Sequence, residues 1–160
     1  MARILFVCLG NIIRSPLAEH LFIHLARQYG VGDRYLVKSA GMADYHVGES
    51  PDPRMRRVAT EYGLNYDGRA CQFTQADFDR FDLIIPVDLN IQADLFQLTR
   101  DKNDEKKIFT LRTFDPYGEP SDNVPDPYYG GVEGFHNTYK IVERSCQGLL
   151  DALEAGEVDF

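Results

Sequence analysis

The sequence has few cysteines, a deficit of basic residues and no long hydrophobic run. No apolar stretch approaches the roughly 20 residues of a membrane-spanning helix. The apolar run near the N-terminus is too short for a signal peptide, so we expect a cytoplasmic protein without membrane contacts. The 17 basic side chains are outnumbered by 25 acidic ones, which argues against a nucleic-acid binder. The three cysteines are too few and too widely spaced for a disulfide framework or a zinc site.

The pattern of apolar residues predicts one α/β domain over residues 1–160. Short apolar segments are typical of strands at 3–8, 35–40, 82–87 and 107–111. Helical periodicity follows most of them, at residues 17–29, from about 50 to 62, 88–98 and 134–155. This alternation predicts a three-layer sandwich: a four-stranded parallel sheet with helices on both faces.

The loop after the first strand is expected to bind an anion. Cys8 ends the strand, and Ser15 and Pro16 have the residue types of an N-cap and a first helical residue. Between them, Gly10 allows the backbone to approach a ligand closely, and Asn11 tolerates a left-handed conformation. Successive N–H groups at a helix N-terminus form a cradle for an oxyanion, so the loop predicts a phosphate-binding site.

The same loop carries candidate catalytic residues. Arg14 can hold two oxygens of an anion with its planar guanidinium. A helix N-terminus and a nearby cation favour a thiolate, so Cys8 is expected to act as a nucleophile. Ser15 could donate a hydrogen bond to the sulfur. The loop is not a Walker A motif, because no Gly-Lys-Ser/Thr ends it. A structural cysteine at the end of a buried strand is the alternative interpretation.

Residues 8–15 resemble the signature of the low-molecular-weight protein tyrosine phosphatases, which is a cysteine, five residues, an arginine and then Ser or Thr. The resemblance continues at residues 39–41, 46–54 and 82–88, is strongest at 124–131 and covers essentially the whole chain. It implies hydrolysis of phosphotyrosine, or of other aryl phosphate monoesters, through a cysteinyl-phosphate, without a metal or cofactor. It also implies phosphate binding by the loop and support from the second strand, through these residues: Leu9, Gly10, Asn11, Ile12, Ile13, Ser15 and Ser39.

The other half of the expected site lies in a proline-rich connection at residues 114–131. A thiolate that displaces a phosphoryl group needs an acid to protonate the departing oxygen. Asp126 stands between two prolines that restrict its backbone, and the resemblance makes it the general acid and later the general base. Asp115 is a similar candidate, but the paired tyrosines and glycines follow only Asp126. The resemblance assigns three tyrosines to the walls of a slot for an aromatic ring: Tyr45, Tyr128 and Tyr129.

Two positions depart from the family pattern. Ile13 stands where many relatives carry a second cysteine, so Cys8 is the only thiol of the loop. Gly68 stands where relatives often have the histidine that supports the polar side chains behind the loop, so Asn11 and Ser39 need other partners. None of the four histidines suggests a catalytic role: His20, His24, His46 and His136.

Three other functions remain open. An arsenate reductase of the same fold needs a relay of cysteines, and a protein-arginine phosphatase tends to carry Thr where Ile12 stands. A non-catalytic phosphopeptide-binding module would not require Cys8, Arg14 and Asp126 together. The favoured partners are proteins or peptides that contain phosphotyrosine, with inorganic phosphate as product and inhibitor. A monomer or a weak dimer is expected.

Overall fold

The computed structural model describes residues 1–119 and 121–159, so Pro120 of the proline-rich connection and Phe160 lie outside it. Its strands are β1 (Ala2–Cys8), β2 (Tyr35–Gly41) and β3 (Leu83–Pro86). Its helices are α1 (Arg14–Gln28), α2 (Pro53–Glu61), α3 (Asp77–Arg80), α4 (Leu89–Leu98), α5 (Lys102–Glu105) and α6 (Val132–Glu154), with 3-10 turns at Gly32–Arg34 and Leu111–Phe114. In the part of the chain that is described, no helix has the length and apolar character needed to cross a membrane.

The strands form a parallel sheet with β1 in the centre, in the order β2-β1-β3. At the carboxyl edge, Cys8 pairs with Gly41 of β2, and Val7 pairs with Pro86 of β3. Pro86 is the last paired residue of its strand, because proline has no N–H to continue a ladder. Ligands of open parallel sheets bind at this edge, and Cys8 lies on it.

The prediction of a fourth strand at 107–111 is wrong, and the sheet of the described residues has three strands. In that segment Ile108 forms one isolated parallel bridge with Ile84 of β3. The chain then enters the 3-10 turn at Leu111–Phe114. Since a strand requires several successive pairs, a single bridge before this turn does not extend the sheet.

Alternate residues of β1 face two separate hydrophobic clusters. Ile4 and Phe6 pack with residues of α1, α2 and α6 on one face of the sheet. Leu5 and Val7 pack with residues of α3 and α4 on the other. The two-residue period of a strand therefore places helices on both faces, as predicted. Because both clusters exclude water, β1 is a rigid base for the loop that follows it.

The N-terminus of helix α1 differs from those of α2 and α4. Asp52 and Asp88 cap α2 and α4 by accepting hydrogen bonds from Arg54 N and Ile91 N. The N-cap of α1 is Ile13, which provides no side-chain cap. The prediction that Ser15 caps this helix is wrong, because Ser15 lies inside its first turn. The first N–H groups of α1 are thus not capped by the preceding side chain and can bind a ligand.

Candidate active site

The segment from Leu9 to Ile13, which we call the phosphate loop, packs tightly on its surroundings. Asn11 has φ of 56°, the left-handed conformation that its short side chain tolerates. A Cβ on Gly41 would lie 2.8 Å from Leu9 O, and a Cβ on Gly10 would lie 2.9 Å from His46 Cδ2. The backbone around Gly41 therefore leaves no room for a side chain, and a side chain at Gly10 would require the His46 ring to move.

Cys8 lies at the base of the phosphate loop, and its side chain is almost fully buried. Its Sγ is 2.9 Å from the hydroxyl oxygen of Ser15. The backbone N–H of Asn11 donates to the same sulfur over 3.3 Å. Donors of this kind stabilise negative charge on sulfur. The hydroxyl oxygen of Ser15 thus contacts the thiol and, at 3.3 Å, the Ala40 carbonyl, and it does not cap the helix.

A network of polar side chains supports the loop from behind. Asn11 Nδ2 donates to the hydroxyls of Ser15, at 2.8 Å, and Ser39, at 3.0 Å. Asn11 Oδ1 accepts from the backbone N–H of Cys71 at 3.0 Å. Ser39 then donates to Glu19 Oε1 over 2.6 Å. Because Gly68 stands at the position of the family histidine, the sequence did not show which group supports Ser39. In the structure that group is Glu19 of α1.

Arg14 joins the phosphate loop to the segment that carries Asp126. Its guanidinium is buried and donates to Asp88 Oδ2 at 2.7 Å and to Val124 O at 3.0 Å. Its Nη2 lies 3.7 Å from Asp126 Oδ2. These contacts hold the planar group at the pocket before a ligand arrives. Asp88 was not among the predicted site residues, although the family resemblance covers it and its position two residues after β3, at the carboxyl edge of the sheet, is a signal for a site residue.

Residues 124–129, which we call the acid loop, contribute Asp126, Tyr128 and Tyr129 to the pocket that Cys8 also lines. The N–H of Val124 donates to Val87 O at 2.9 Å, which ties the loop to the end of β3. The N–H of Tyr128 donates to Asp126 Oδ1 at 3.1 Å. The Asp126 side chain is 45% exposed, so its carboxyl can meet both a ligand and water.

Asp115, the other candidate acid, has a different environment. Its side chain is fully buried and lies within 3.1 Å of the guanidinium groups of Arg112 and Arg144. Burial alone would raise the pKa of Asp115, but hydrogen bonds from Arg144 and from the Tyr117 N–H, with the two arginine charges, lower it on balance. A carboxylate held in this way is suited to an ion-pair role and does not line the pocket.

The phosphate loop and the acid loop enclose a pocket of about 200 Å³. Cys8 lies at its base, and the N-terminus of α1 contributes its dipole, which favours an anion. The pocket is lined by Cys8, Leu9, Gly10, Ile12, Ile13, Arg14, Tyr45, His46, Asp126, Tyr128 and Tyr129. Of the predicted site residues, Asn11, Ser15 and Ser39 lie outside the lining, where they support it.

His46 is a lining residue to which the sequence analysis assigned no role. Its ring packs against Gly10, and its Nδ1 is 3.0 Å from Glu49 Oε2. Among the lining residues in the described part of the chain, Arg14 and His46 have the side chains that can carry a positive charge. The tight contact with Gly10 depends on the fold, so the sequence held no local signal for it.

The other two cysteines lie outside the pocket. Cys146 is buried in α6, and Cys71 directly precedes Gln72, the residue that pairs with Gly41. Burial raises the pKa of both thiols, which disfavours their nucleophilic form. Neither lines the pocket with Cys8, so the cysteine relay that arsenate reduction requires is not assembled there.

Comparisons with known proteins agree with this geometry. A family model described as low molecular weight phosphotyrosine protein phosphatase matches residues 3–158. A low molecular weight protein-tyrosine-phosphatase from Streptomyces coelicolor is 40% identical over 152 residues, which cover 94% of this chain and 93% of that protein. A low molecular weight phosphotyrosine protein phosphatase from Sus scrofa is 38% identical, with 92% and 93% covered. A crystal structure of a protein tyrosine phosphatase from Entamoeba histolytica superposes with a TM-score of 0.93 at 36% identity and covers 98% of this chain and 99% of that one.

Proposed function

The chain belongs to the low molecular weight phosphotyrosine protein phosphatase family, and we propose that Cys8, Arg14 and Asp126 carry out phosphotyrosine hydrolysis in its pocket. The observation that carries this assignment is their convergence: a buried thiol, a buried guanidinium and a half-exposed carboxyl line one pocket. These groups match the three requirements of the reaction, which are a nucleophile, a binding group for phosphate oxygens and a proton donor.

In the first step, the Cys8 thiolate attacks phosphorus in line with the bond to the phenolic oxygen. The S–P bond forms as the P–O bond breaks, and Asp126 gives its proton to the departing phenolate. Arg14 and the N–H groups of the phosphate loop hold the other phosphate oxygens. Because these donors are already in place, little reorganisation is needed as charge develops.

In the second step, water hydrolyses the cysteinyl-phosphate. Asp126, now a carboxylate, takes a proton from the attacking water, the new P–O bond forms and the S–P bond breaks. The electron pair returns to Cys8 Sγ. The hydroxyl of Ser15, 2.9 Å from that sulfur, stabilises the thiolate as it leaves.

The pocket walls favour an aromatic phosphate ester. Tyr45 and Tyr129 are highly exposed at the mouth, and the ring of Tyr128 meets that of Tyr129 edge-on at 4.9 Å. Aromatic rings prefer offset or edge-on contacts with other rings, so these side chains suit a phenyl group. We therefore propose phosphotyrosine-containing proteins as substrates and inorganic phosphate as product and inhibitor.

Further features of the proposal concern the whole chain. We propose that residues 1–160 act as one domain, as a monomer or weak dimer in the cytoplasm, without a cofactor, nucleic acid or membrane partner. The free state of all three cysteines supports a reducing compartment. The chain covers 93% of the length of the relatives from Streptomyces coelicolor and Sus scrofa, which supports the single domain.

Substitution of the nucleophile tests the proposed reaction. We expect Cys8→Ser to lower turnover of a phosphotyrosine peptide by about 10³-fold or more, because a neutral hydroxyl is a much weaker nucleophile. Binding of the peptide, measured by calorimetry, should change little, since Arg14 and the loop remain. Cys146→Ala, which removes a thiol outside the pocket, is the control and should retain activity. Turnover by Cys8→Ser at the wild-type rate would refute the assignment.

A further inference from the structure

A second connection between the phosphate loop and the acid loop runs through helix α2. The N–H of Asp52, the N-cap of this helix, donates to Ile12 O of the phosphate loop at 2.8 Å. Two residues later, Arg54 Nη1 donates to Tyr128 O of the acid loop at 2.9 Å. Residues on α2 therefore contact both halves of the pocket.

Asp52 holds the Arg54 side chain in one orientation. Arg54 Nε donates to Asp52 Oδ1 at 3.1 Å, and Nη2 donates to Oδ2 at 2.7 Å. The Asp52 side chain is 7% exposed and that of Arg54 is 43% exposed, so the carboxylate is shielded from water while the guanidinium lies partly at the surface. A bidentate pair of this kind fixes direction as well as distance. It leaves Nη1 of Arg54 directed at the acid loop.

Two aromatic rings restrict the same guanidinium. Its central carbon lies 5.1 Å from the centre of the Tyr128 ring and 4.9 Å from that of Phe135. Phe135 is buried in α6 and cannot move easily. Both distances are within the range of cation–π attraction. The Arg54 side chain thus joins α2, the acid loop and α6 at one point.

The peptide of Tyr128 carries this connection to the catalytic carboxyl. Its carbonyl accepts from Arg54, while its N–H donates to Asp126 Oδ1 at 3.1 Å. A continuous series of hydrogen bonds therefore runs from Ile12 O through Asp52, Arg54 and Tyr128 to Asp126. Arg54 is thus connected to the Asp126 carboxyl through the protein, although it is not among the residues that line the pocket.

We propose that Arg54 is a positioning residue that sets the Asp126 carboxyl against the leaving oxygen by holding the acid loop to the phosphate loop through Asp52. The inference rests on the proposed function, because it concerns the proton that Asp126 donates. It assigns a task in the reaction to a side chain outside the pocket lining. The proposed role of Arg54 therefore concerns the first chemical step, in which Asp126 protonates the leaving oxygen.

Leaving-group dependence distinguishes this role from a purely structural one. A poor leaving group such as phenolate needs the proton of Asp126, whereas para-nitrophenolate departs with little help. We expect Arg54→Met to lower kcat/KM for phenyl phosphate by about 10- to 100-fold and that for para-nitrophenyl phosphate by about 3-fold or less, since misplacement of a catalytic group by about 1 Å can cost 10²-fold. Arg54→Lys, which keeps the positive charge and an ammonium donor, should show the same dependence on the leaving group with smaller losses of kcat/KM.

Two comparisons complete the experiment. Arg57→Met removes an exposed arginine of the same helix and should leave both substrates unaffected. Arg54→Met in an Asp126→Asn background should cause no further loss with phenyl phosphate, because the proton is already absent. Thermal melting verifies that each variant is folded, and Arg54→Lys replaces Arg54→Met if the latter does not fold.

The outcomes separate this inference from its premise. If Asp126→Asn lowers kcat/KM equally for both substrates, Asp126 is not the acid and both proposals fail. If Asp126→Asn is selective for phenyl phosphate but the Arg54 variants lose activity equally with both substrates, only the positioning role fails. If the double variant shows the product of the two single losses in kcat/KM, Arg54 and Asp126 act independently, and the positioning role is overturned as well.

Discussion

Arg14 shows how a single buried side chain organises the pocket. Its hydrogen bonds to Asp88 and Val124 O fix the guanidinium plane before a substrate binds. The ion pair with Asp88 offsets part of the cost of burying the charge. A lysine at this position would present one ammonium in place of a planar group with several donors. This preorganised geometry suits the role proposed for Arg14, which is to hold a phosphoryl group as its charge redistributes.

His46 provides a prediction at the residue scale. We expect His46→Phe to raise KM for para-nitrophenyl phosphate by about 2- to 10-fold with kcat nearly unchanged, because the ring still packs on Gly10 while the polar nitrogens are lost. The magnitude corresponds to one hydrogen bond of about 0.5–1.5 kcal/mol. Steady-state kinetics measures both constants.

His24→Phe is the matched control for this substitution. His24 lies on α1, outside the lining of the active-site pocket, and its substitution should leave KM unchanged. A drop in kcat with constant KM in His46→Phe would contradict a binding role for His46, because loss of uniform binding acts on KM.

At the scale of secondary-structure elements, the phosphate loop depends on β2 and α1 as much as on its own residues. Ser39 of β2 accepts from Asn11 and donates to Glu19 of α1, so three elements meet at one hydroxyl. Asn11 is 3% exposed, and buried polar groups must find partners within the protein. The rigidity of the loop is therefore a property of the assembled elements.

This network leads to a stability prediction. We expect Ser39→Ala to lower the free energy of unfolding by about 1–3 kcal/mol, because the buried amide of Asn11 and the partly buried carboxylate of Glu19 lose a partner. Urea denaturation at constant pH measures the change. Ser121→Ala, at an exposed position, should change stability by less than about 0.5 kcal/mol. Equal stability of wild type and Ser39→Ala would mean that the hydroxyl does not support the loop.

At the scale of the whole molecule, the proline-rich connection must be anchored for the acid loop to reach the pocket. Asp115 lies in this connection and pairs with Arg144 of α6 and with Arg112. Thr138 of α6 also donates to Pro125 O at 3.1 Å. These contacts attach a long irregular segment to the main hydrophobic core. The fold thus places Asp126 opposite a thiol more than a hundred residues away.

The lowered pKa of Asp115 predicts how stability depends on pH. Its pKa is lower in the folded protein than in the unfolded chain, so the carboxylate stabilises the fold above about pH 4 and this contribution is lost as the pH falls further. We expect Arg144→Met to lower the free energy of unfolding by about 1.5–3 kcal/mol at neutral pH, the value of hydrogen bonds to a charged group. The difference from wild type should shrink in acid.

Urea denaturation of both proteins across the acidic range measures this dependence. Arg57→Met, which removes an exposed arginine, serves as the control for the loss of one positive charge. A difference between wild type and Arg144→Met that stays constant down to low pH would show that the ion pair with Asp115 is not its source.

Much of the fold could be predicted from local pattern. The three observed strands and the helices α1, α2, α4 and α6 follow from apolar periodicity and turn residues, which are properties of neighbouring positions. The prediction of a fourth strand was wrong because the chain turns into the 3-10 segment Leu111–Phe114 after the single bridge at Ile108, and this turn depends on the tertiary structure. Ser15 has the residue type of a cap, but proximity to Cys8 gives its hydroxyl another partner.

The family and the α/β class follow from the sequence, and the candidate catalytic residues Cys8, Arg14 and Asp126 are recognisable there because they stand in short motifs whose spacing is local. The side chains that support them are identified only in the folded structure. His46 against Gly10, Glu19 behind Ser39 and Arg54 between the two loops are contacts between distant segments. Such contacts arise when the sheet and helices pack together, and no local pattern encodes them.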